Sequence, residues 1–157
     1  MIQELDSEQF ILNALNEDIG DGDHSSLSSI PADTTGAARL LVKESGVLAG
    51  MDVAKQIFNL VDPELTLEFI LADGEQVKYG DVAFIVRGKT HSILKAERLV
   101  LNMMQRMSGI ATRTNRIVSR ISHTNTRVLD TRKTTPGLRF FEKWAVRIGG
   151  GHNRRFG

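Results

Sequence analysis

The segment TRVLDTRKTTPGLRFFEKWAVRIGGG, residues 126–151, shows the clearest order of secondary-structure signals in this chain. Residues 126–131 are rich in β-branched side chains and predict a short strand. Pro136 suits the start of a helix, and the residues after it repeat apolar side chains at helical spacing as far as the glycines at 149–151. A strand, a basic loop, a helix and a glycine stop are typical of a β/α unit, whose ligands gather at the carboxyl end of the strand.

Positive charge is concentrated in and after this unit. Between residues 131 and 155 a single acid, Glu142, accompanies seven cations: Arg132, Lys133, Arg139, Lys143, Arg147, Arg154 and Arg155. The first 30 residues contain seven Asp and Glu residues and no Lys or Arg, so the two ends could simply be solvated or pair with each other. Two basic groups flanking one helix favour a site for a ligand with several phosphates or carboxylates. The glycines at 149–151 would let the backbone approach such a ligand closely.

A long amphipathic helix is predicted from Ser92 to Ser122, and we expect it to connect two structural units. Its apolar residues advance by threes and fours in one seam: Ile93, Ala96, Val100, Met103, Met107, Ile110, Thr114, Ile117 and Ile121. Gly109 interrupts the pattern and predicts either a break or a close contact with another helix.

The residues before this helix predict a small α/β layer. Apolar periodicity and β-branched runs indicate helices and strands in the order helix 7–18, strands 37–43 and 46–50, helix 51–61 and strand 65–72. The last strand alternates so that one face should be buried. Glycine-turned strands around Gly74 and Gly80 are typical of a small, tightly curved β-sandwich.

These elements together predict an α/β (α+β) fold. We expect an N-terminal α/β sandwich with a barrel-sandwich-like β element, the long connecting helix, and the first β/α unit of an incomplete α/β barrel. The expected domains are residues 1–110 and residues 111–157.

Composition excludes several kinds of function. The chain has 157 residues and a formal net charge of +1, which gives no general attraction to nucleic acid or to an acidic membrane. It contains no cysteine, so a disulfide, a thiolate metal site and a cysteine nucleophile are excluded within it. No apolar run is long enough to span a membrane, and the acidic start MIQELDSEQF does not have the pattern of a signal peptide. We expect a cytoplasmic location.

The run TRKTTPGLRFFEKWAVRIGGGHNRRFG, residues 131–157, closely resembles the core motif of the quinolinate phosphoribosyltransferases. The resemblance extends in the same order to earlier segments of the chain: EDIGDGDHSS (17–26), GVLAGMDVA (46–54), DGEQVKYGD (73–81) and ERLVLNMMQRMSGIAT (97–112). It implies an enzyme of de novo NAD synthesis that converts quinolinate and 5-phosphoribosyl 1-pyrophosphate, with Mg²⁺, to nicotinate mononucleotide, pyrophosphate and CO₂.

The resemblance also implies roles for individual residues. Arg132 and Lys133 match catalytic and substrate-contacting residues, with Thr131 beside them. Arg155 matches an arginine that contacts the acid groups of the substrate. Arg98 matches an arginine that one subunit lends to the active site of its partner, so the resemblance implies a homodimer or a higher homo-oligomer.

The chain departs from the family pattern in two ways. Family members usually read Asn-His-Arg after the glycines, whereas this chain reads Asn153, Arg154 and Arg155. Arg154 is expected to bind substrate, but an arginine cannot shuttle a proton near neutral pH. Family members are also longer, and the rest of their barrel, with the acidic groups that serve the ribose and Mg²⁺, follows the position of Gly157. The resemblance therefore implies an N-terminal portion with no metal ligand of its own and with weak or no activity in isolation.

Two other functions stay open at this point. One is a related pyrophosphorylase-like protein associated with molybdenum uptake, although the arginines favour a substrate with two carboxylates. The other is a non-catalytic module for anion binding or dimerisation.

Overall fold

The computed structural model describes residues 2–19 and 30–154 of the chain. Within this part, the helices are separated by groups of two and three strands, except that the last two helices follow each other. Their bounds are α1 Ile2–Ile19, β1 Thr35–Leu41, β2 Gly46–Val47, α2 Met51–Val61, β3 Thr66–Phe69, β4 Gln76–Val77, β5 Val82–Lys89, α3 Thr90–Arg120 and α4 Arg139–Ile148. The expected mixture of helices and strands is confirmed, and α2 has the predicted bounds. Helix α1 begins five residues earlier than predicted.

Two small antiparallel sheets form the β part of the fold. The larger has the order β1-β5-β3, and the smaller pairs β2 with β4. The central strand β5 buries Ala83, Phe84 and Val86, whereas β1 is an edge strand whose pairing with β5 shifts between Arg39 and Leu41. We call residues 35–108, which contain both sheets, α2 and the first part of α3, the sandwich.

The prediction that strand 65–72 has a well-buried face is wrong in part. Leu65 and Leu67 are half-buried, and Phe69 is exposed. The reason is its position, because β3 is an edge strand and only its β5 side is paired. The Phe69 ring still packs edge-on against Phe84, with centroids 6.1 Å apart.

Helix α3 is the spine of the molecule and packs against α1, α2, α4 and strands of both sheets. Its buried residues form a seam that confirms most of the predicted one: Ile93, Ala96, Leu99, Val100, Met103, Met104, Met107, Ala111 and Thr114. The prediction is wrong at Ile117, which is 46% exposed. Near the end of α3, the turn at Gly150 packs beside Val118. The residues that cover the helix there therefore lie on a different face from Ile117.

The predicted break or close contact at Gly109 is also wrong. Helix α3 runs without interruption through this position, and a Cβ added to Gly109 would meet no other atom within 4 Å. The spine is therefore continuous from the sandwich to the residues before the β/α unit. None of the described helices is both long enough and apolar enough to cross a membrane.

The predicted strand at 126–131 does not form as a strand. Its backbone makes one isolated parallel bridge, between Leu129 and His152. A strand needs a ladder of neighbours, and in the described part of the chain only the residues around His152 pair with this segment. The helix predicted after it is confirmed as α4, whose Phe141 and Ala145 are buried. The Phe10 ring of α1 packs against Phe141, with centroids 5.0 Å apart.

Candidate active site

We call residues 126–154 the C-terminal unit. The parallel bridge brings together its two basic segments, the one that contains Arg132 and Lys133 and the one that contains Arg154. Asp130 donates its backbone N–H to the carbonyl of His152 at 2.9 Å, and His152 donates to the carbonyl of Val128 at 2.9 Å. Because the pairing is parallel, both segments run in the same direction beyond the bridge. Arg132 and Arg154 therefore leave it at the same end.

A buried carboxylate joins these two segments. Asp130 Oδ1 accepts a hydrogen bond from the backbone N–H of Arg154 at 3.0 Å, and Asp130 Oδ2 lies 2.8 Å from Lys143 Nζ. The side chains of Asp130 and Lys143 are each only 3% exposed. Asn153, with its amide oriented to satisfy its hydrogen bonds, donates to Asp130 Oδ2 at 3.0 Å and to the carbonyl of Lys143 at 3.1 Å. Water is thus excluded from the ion pair that ties the two basic segments together.

Lys143 has a different role from the one its place among the seven cations suggested. Its charge faces Asp130 inside the fold, so it is not one of the exposed groups that could meet a ligand. Apolar periodicity does not indicate this burial, because Lys143 is charged and the helical pattern rests on apolar side chains. Asp130 and Asn153 were also missed, although Asp130 directly precedes the basic loop.

The glycines at 149–151 allow close packing against α3 and α4, and their expected role in the approach of a ligand stays a prediction. A Cβ at Gly149 would collide with the carbonyl of Ala111, and one at Gly151 would lie 2.7 Å from Val146 Cγ1. Gly150 has a φ of 90°, a conformation that L-residues rarely adopt. Tight packing of this turn fixes where the segment at His152 begins.

The basic loop, residues 131–138, is held by its own threonines. Thr131 Oγ1 accepts the backbone N–H of Lys133 at 3.1 Å, which folds the chain back beside Arg132. Thr134 Oγ1 accepts a hydrogen bond from Arg139 Nε at 3.2 Å. The loop therefore has a definite shape although most of its residues are exposed.

Arg106 of α3 fixes the same loop from the other side. Its guanidinium donates to Thr135 Oγ1 and to the Glu142 carboxylate, and Thr135 donates its backbone N–H to Glu142 Oε2 at 3.3 Å. Partial burial acts to raise the pKa of Glu142, but the hydrogen bonds from Arg106 and Thr135 outweigh it and hold the pKa below its usual value. The only acid of the basic stretch is thus engaged by Arg106.

Apart from Arg98, the predicted site residues fall into two groups. Thr131, Arg132, Lys133 and Arg154 are exposed and lie around the bridge and the Asp130 carboxylate. Arg155 lies outside the described residues. The surface has two hollows, of about 940 and about 390 Å³, and the smaller is lined by residues 134–137 of the basic loop, but neither is lined by Arg132, Lys133 or Arg154.

Arg98 lies apart from the basic segments of its own chain. Its Nη1 atom is 2.7 Å from Asp18 Oδ1, and its side chain is 72% exposed. Arg98 precedes Arg106, which touches the basic loop, by eight residues of α3, or about 12 Å along the helix axis. The structure therefore places Arg98 on an exposed part of the spine and does not bring it to Arg132.

Comparison with known proteins identifies the family. The family described as quinolinate phosphoribosyl transferase, N-terminal domain, matches residues 23–108, and its C-terminal domain matches residues 110–157. The chain belongs to the quinolinate phosphoribosyl transferase family. The sandwich lies within the part that matches the family's N-terminal domain, and the C-terminal unit lies within the part that matches its C-terminal domain.

Similar relatives come from plants and bacteria. The chain is 51% identical over 145 residues to quinolinate phosphoribosyltransferase (decarboxylating) 1b of Nicotiana tabacum, a match that covers 92% of this chain and 41% of that protein. It is 43% identical over 143 residues to the probable carboxylating nicotinate-nucleotide pyrophosphorylase of a Synechocystis strain, covering 91% and 48%. The solved nicotinate-nucleotide pyrophosphorylase of Francisella tularensis superposes with a TM-score of 0.90 at 38% identity, covering 97% and 54%.

The chain spans about half the length of these members of the quinolinate phosphoribosyl transferase family. Their names all concern quinolinate or nicotinate nucleotide, and none of them supports the alternative of a molybdenum-uptake protein. The fold and family predicted from the sequence are confirmed, whereas the roles of individual residues and the domain boundary at residue 110 stay predictions.

Proposed function

We propose that the protein carrying this chain is a quinolinate phosphoribosyltransferase that forms nicotinate mononucleotide, pyrophosphate and CO₂ from quinolinate and 5-phosphoribosyl 1-pyrophosphate. The observation that carries the proposal is the parallel pairing around Leu129, which directs two basic segments to one end of the fold. Both substrates carry several negative charges, so a site for them needs fixed cations and few competing acids.

The chemistry proposed needs charge stabilisation and no protein nucleophile. The pyridine nitrogen of quinolinate attacks the anomeric carbon of the ribose as the bond to pyrophosphate breaks and its electron pair leaves with the pyrophosphate. Arg132 and Lys133 would stabilise this leaving charge and orient the carboxylates. The 2-carboxylate then departs as CO₂, its electrons drawn to the positively charged ring, and the ring carbon takes up a proton.

Thr131, Arg154 and Arg155 are proposed as substrate-binding residues around this pair. A guanidinium presents two parallel donors and fits a carboxylate or a phosphate at two points. Arg154, whose backbone is tied to Asp130, would keep the charge that the usual family histidine has only when protonated. We therefore propose that Arg154 binds an acid group and transfers no proton.

Mg²⁺ is proposed as the metal of the complete enzyme. The charged groups that the described basic segments expose are guanidinium and ammonium groups, and these suit anions and not a cation. Among the described residues, no three or more His, Asp or Glu side chains are grouped so that they could hold a metal ion. Because Mg²⁺ keeps several waters and commonly binds through substrate phosphates, we propose that it arrives on the pyrophosphoryl group.

We also propose that the enzyme is a homodimer or a higher homo-oligomer in which Arg98 serves the site of the partner. The exposure of Arg98 and its distance from Arg106 along α3 support a role outside its own basic cluster. The cytoplasmic location stays a prediction, because relatives from Oryza sativa and Nicotiana tabacum are named chloroplastic and mitochondrial.

Calorimetry and turnover test the proposed function. Quinolinate is titrated into the 157-residue chain and into the complete natural protein that contains it, and release of pyrophosphate and CO₂ is followed with both substrates present. We expect binding and turnover by the complete protein and weak or no turnover by the 157-residue chain. Binding of quinolinate by neither would refute the assignment, and binding without release of CO₂ would favour a non-catalytic anion-binding module.

A further inference from the structure

We propose that Asp130 and Lys143 are a positioning pair for the substrate-binding arginines. In this role Asp130 holds Arg154 beside Arg132, and Lys143 neutralises the carboxylate that does so. The inference rests on the proposed function, since the ligand whose affinity it concerns is quinolinate. Neither residue touches the substrate in this proposal, because both side chains are almost completely buried.

The hydrogen bonds give the pair its positioning role. Asp130 stands two residues before Arg132, and its Oδ1 atom accepts the backbone N–H of Arg154 at 3.0 Å. Its Oδ2 atom accepts from Asn153 at 3.0 Å, so one carboxylate fixes two successive residues of the second basic segment. Asp130 also pairs with His152 through its backbone, so the bridge keeps the two basic segments together while the Asp130 side chain fixes the course of the chain at Arg154.

The charge of Asp130 creates a problem that Lys143 solves. A carboxylate between two basic segments would repel an anionic ligand and attract the very guanidinium groups that should bind it. Burial makes this worse, because water and salt screen a buried charge poorly. Lys143 Nζ, 2.8 Å from Oδ2, balances the charge from within α4. The arginines then act on the ligand alone.

A purely structural ion pair would behave differently. Removing one partner of a buried pair destabilises a protein, whereas replacing both by uncharged groups is often neutral, so stability alone cannot separate the two roles. The affinity for an anion can separate the two roles. Removing a positioning pair should change this affinity even in folded protein, at temperatures well below the melting temperature. The Michaelis constant KM for quinolinate and the turnover number kcat should also change unequally.

The test uses three variants of the complete natural protein: Lys143→Met, Asp130→Asn, and the two combined. Asp130→Asn keeps an oxygen that can accept the N–H of Arg154 but removes the charge. Lys55→Met is the matched control, since Lys55 is an exposed lysine of α2 that undergoes the same chemical change. The dissociation constants of quinolinate and of inorganic pyrophosphate are measured by calorimetry, together with KM, kcat and the melting temperature.

We expect Lys143→Met to weaken quinolinate binding and to raise its KM by about tenfold or more, with a smaller change in kcat, because it leaves a buried charge uncompensated. The double variant should return both constants to within about threefold of the wild type, and Lys55→Met should leave them within about twofold. The double variant also keeps the test decisive if Lys143→Met alone does not fold.

Three results would overturn the inference. The first is a Lys143→Met variant that melts earlier but binds quinolinate and pyrophosphate as the wild type does. The second is a double variant that folds but binds as weakly as the single one. The third is a wild-type protein that neither binds nor turns over quinolinate, and this result alone would also remove the proposed function.

Discussion

The sandwich and the C-terminal unit reach their order by different interactions. In the sandwich, Val53, Ile57 and Val86 are almost completely buried in one apolar core. In the C-terminal unit, an exposed basic loop is held by side-chain hydrogen bonds and by the ion pairs of Asp130 and Glu142. Apolar packing depends on volume and tolerates similar side chains, whereas each polar contact needs one particular partner. Substitutions in the first region should therefore alter stability, and those in the second should alter function.

The largest expected effect lies at the apolar contact between the C-terminal unit and α1, where packing and not polar contacts holds the unit. Phe141 of α4 is 1% exposed and packs against Phe10 and Phe140. Phe141→Ala should lower the free energy of unfolding by about 3–5 kcal/mol, because it leaves a cavity in the core. Urea denaturation measures the loss, and Phe140→Ala, at a half-buried position, should cost less. A loss below about 1 kcal/mol at Phe141 would mean that polar contacts alone hold the C-terminal unit.

The next effect is on activity and not on stability. Arg132→Ala in the complete natural protein should reduce kcat/KM by about a hundredfold or more, since it removes a charge clamp from the developing negative charge. Steady-state kinetics measure this loss, and the melting temperature should change little because Arg132 is exposed. Arg127→Ala is the control, because Arg127 is exposed and precedes the bridge. Near-normal turnover of the Arg132 variant would contradict the role proposed for it.

Two acidic side chains, one in each region, should make opposite contributions to the dependence of stability on pH. The pKa of Glu142 is lowered, so its stabilising contribution is present above its unfolded-state pKa and is lost as the pH falls through its folded-state pKa. The pKa of Asp73 in the sandwich is raised by burial, which outweighs the hydrogen bond from the Met51 N–H. Its contribution to stability therefore decreases as the pH rises from the unfolded-state to the folded-state pKa.

Urea denaturation from acid to neutral pH tests this contrast. Glu142→Gln should cost about 1 kcal/mol at neutral pH, a value that allows for the partial exposure of Arg106, and should cost less in acid. Asp73→Asn keeps the acceptor for the Met51 N–H and should become more favourable, relative to wild type, as the pH rises. Parallel pH profiles for the two variants would show that the acids do not differ as described.

The smallest effect should be a gain in stability. Gly109 is an exposed residue inside α3 with open space around its Cα, so Gly109→Ala should stabilise the chain by about 0.5–1 kcal/mol. Gly50→Ala is the matched opposite, because Gly50 has a φ of 100° and a Cβ there would lie 3.2 Å from Met104 Cα. Thermal denaturation of both variants measures the difference. A loss of stability at Gly109 would indicate that this face of α3 needs the glycine.

The sequence predicted best what depends on local periodicity. Helix α2 has the predicted bounds, and the buried residues of α3 follow the predicted seam as far as Thr114. In an amphipathic helix or strand the buried residues recur at a fixed spacing, so residues close in the sequence are enough to predict which side chains are buried. Ile117 and Gly109 were misjudged because periodicity does not report where the covering elements end.

The sequence could not predict what depends on contacts between distant residues. Asp130 and Lys143 are 13 positions apart, on different elements, and only the folded chain brings them together. The charge pattern identifies Arg132 and Lys133 as part of a basic group, but it does not identify the buried pair that organises this group. The β-branched composition of residues 126–131 predicts a strand, yet a strand also needs a neighbour that pairs along its length, and here the pairing is limited to the bridge at Leu129.

The irregular pairing of β1 with β5 has a consequence for solubility. The outer edge of β1 is an open row of backbone donors and acceptors in the described part of the chain, and such rows recruit further strands from other molecules. The register shift between Arg39 and Leu41 disturbs the regular spacing of that row, and Arg39 adds an exposed charge there. The register shift and the exposed charge of Arg39 should therefore discourage fibril-like association.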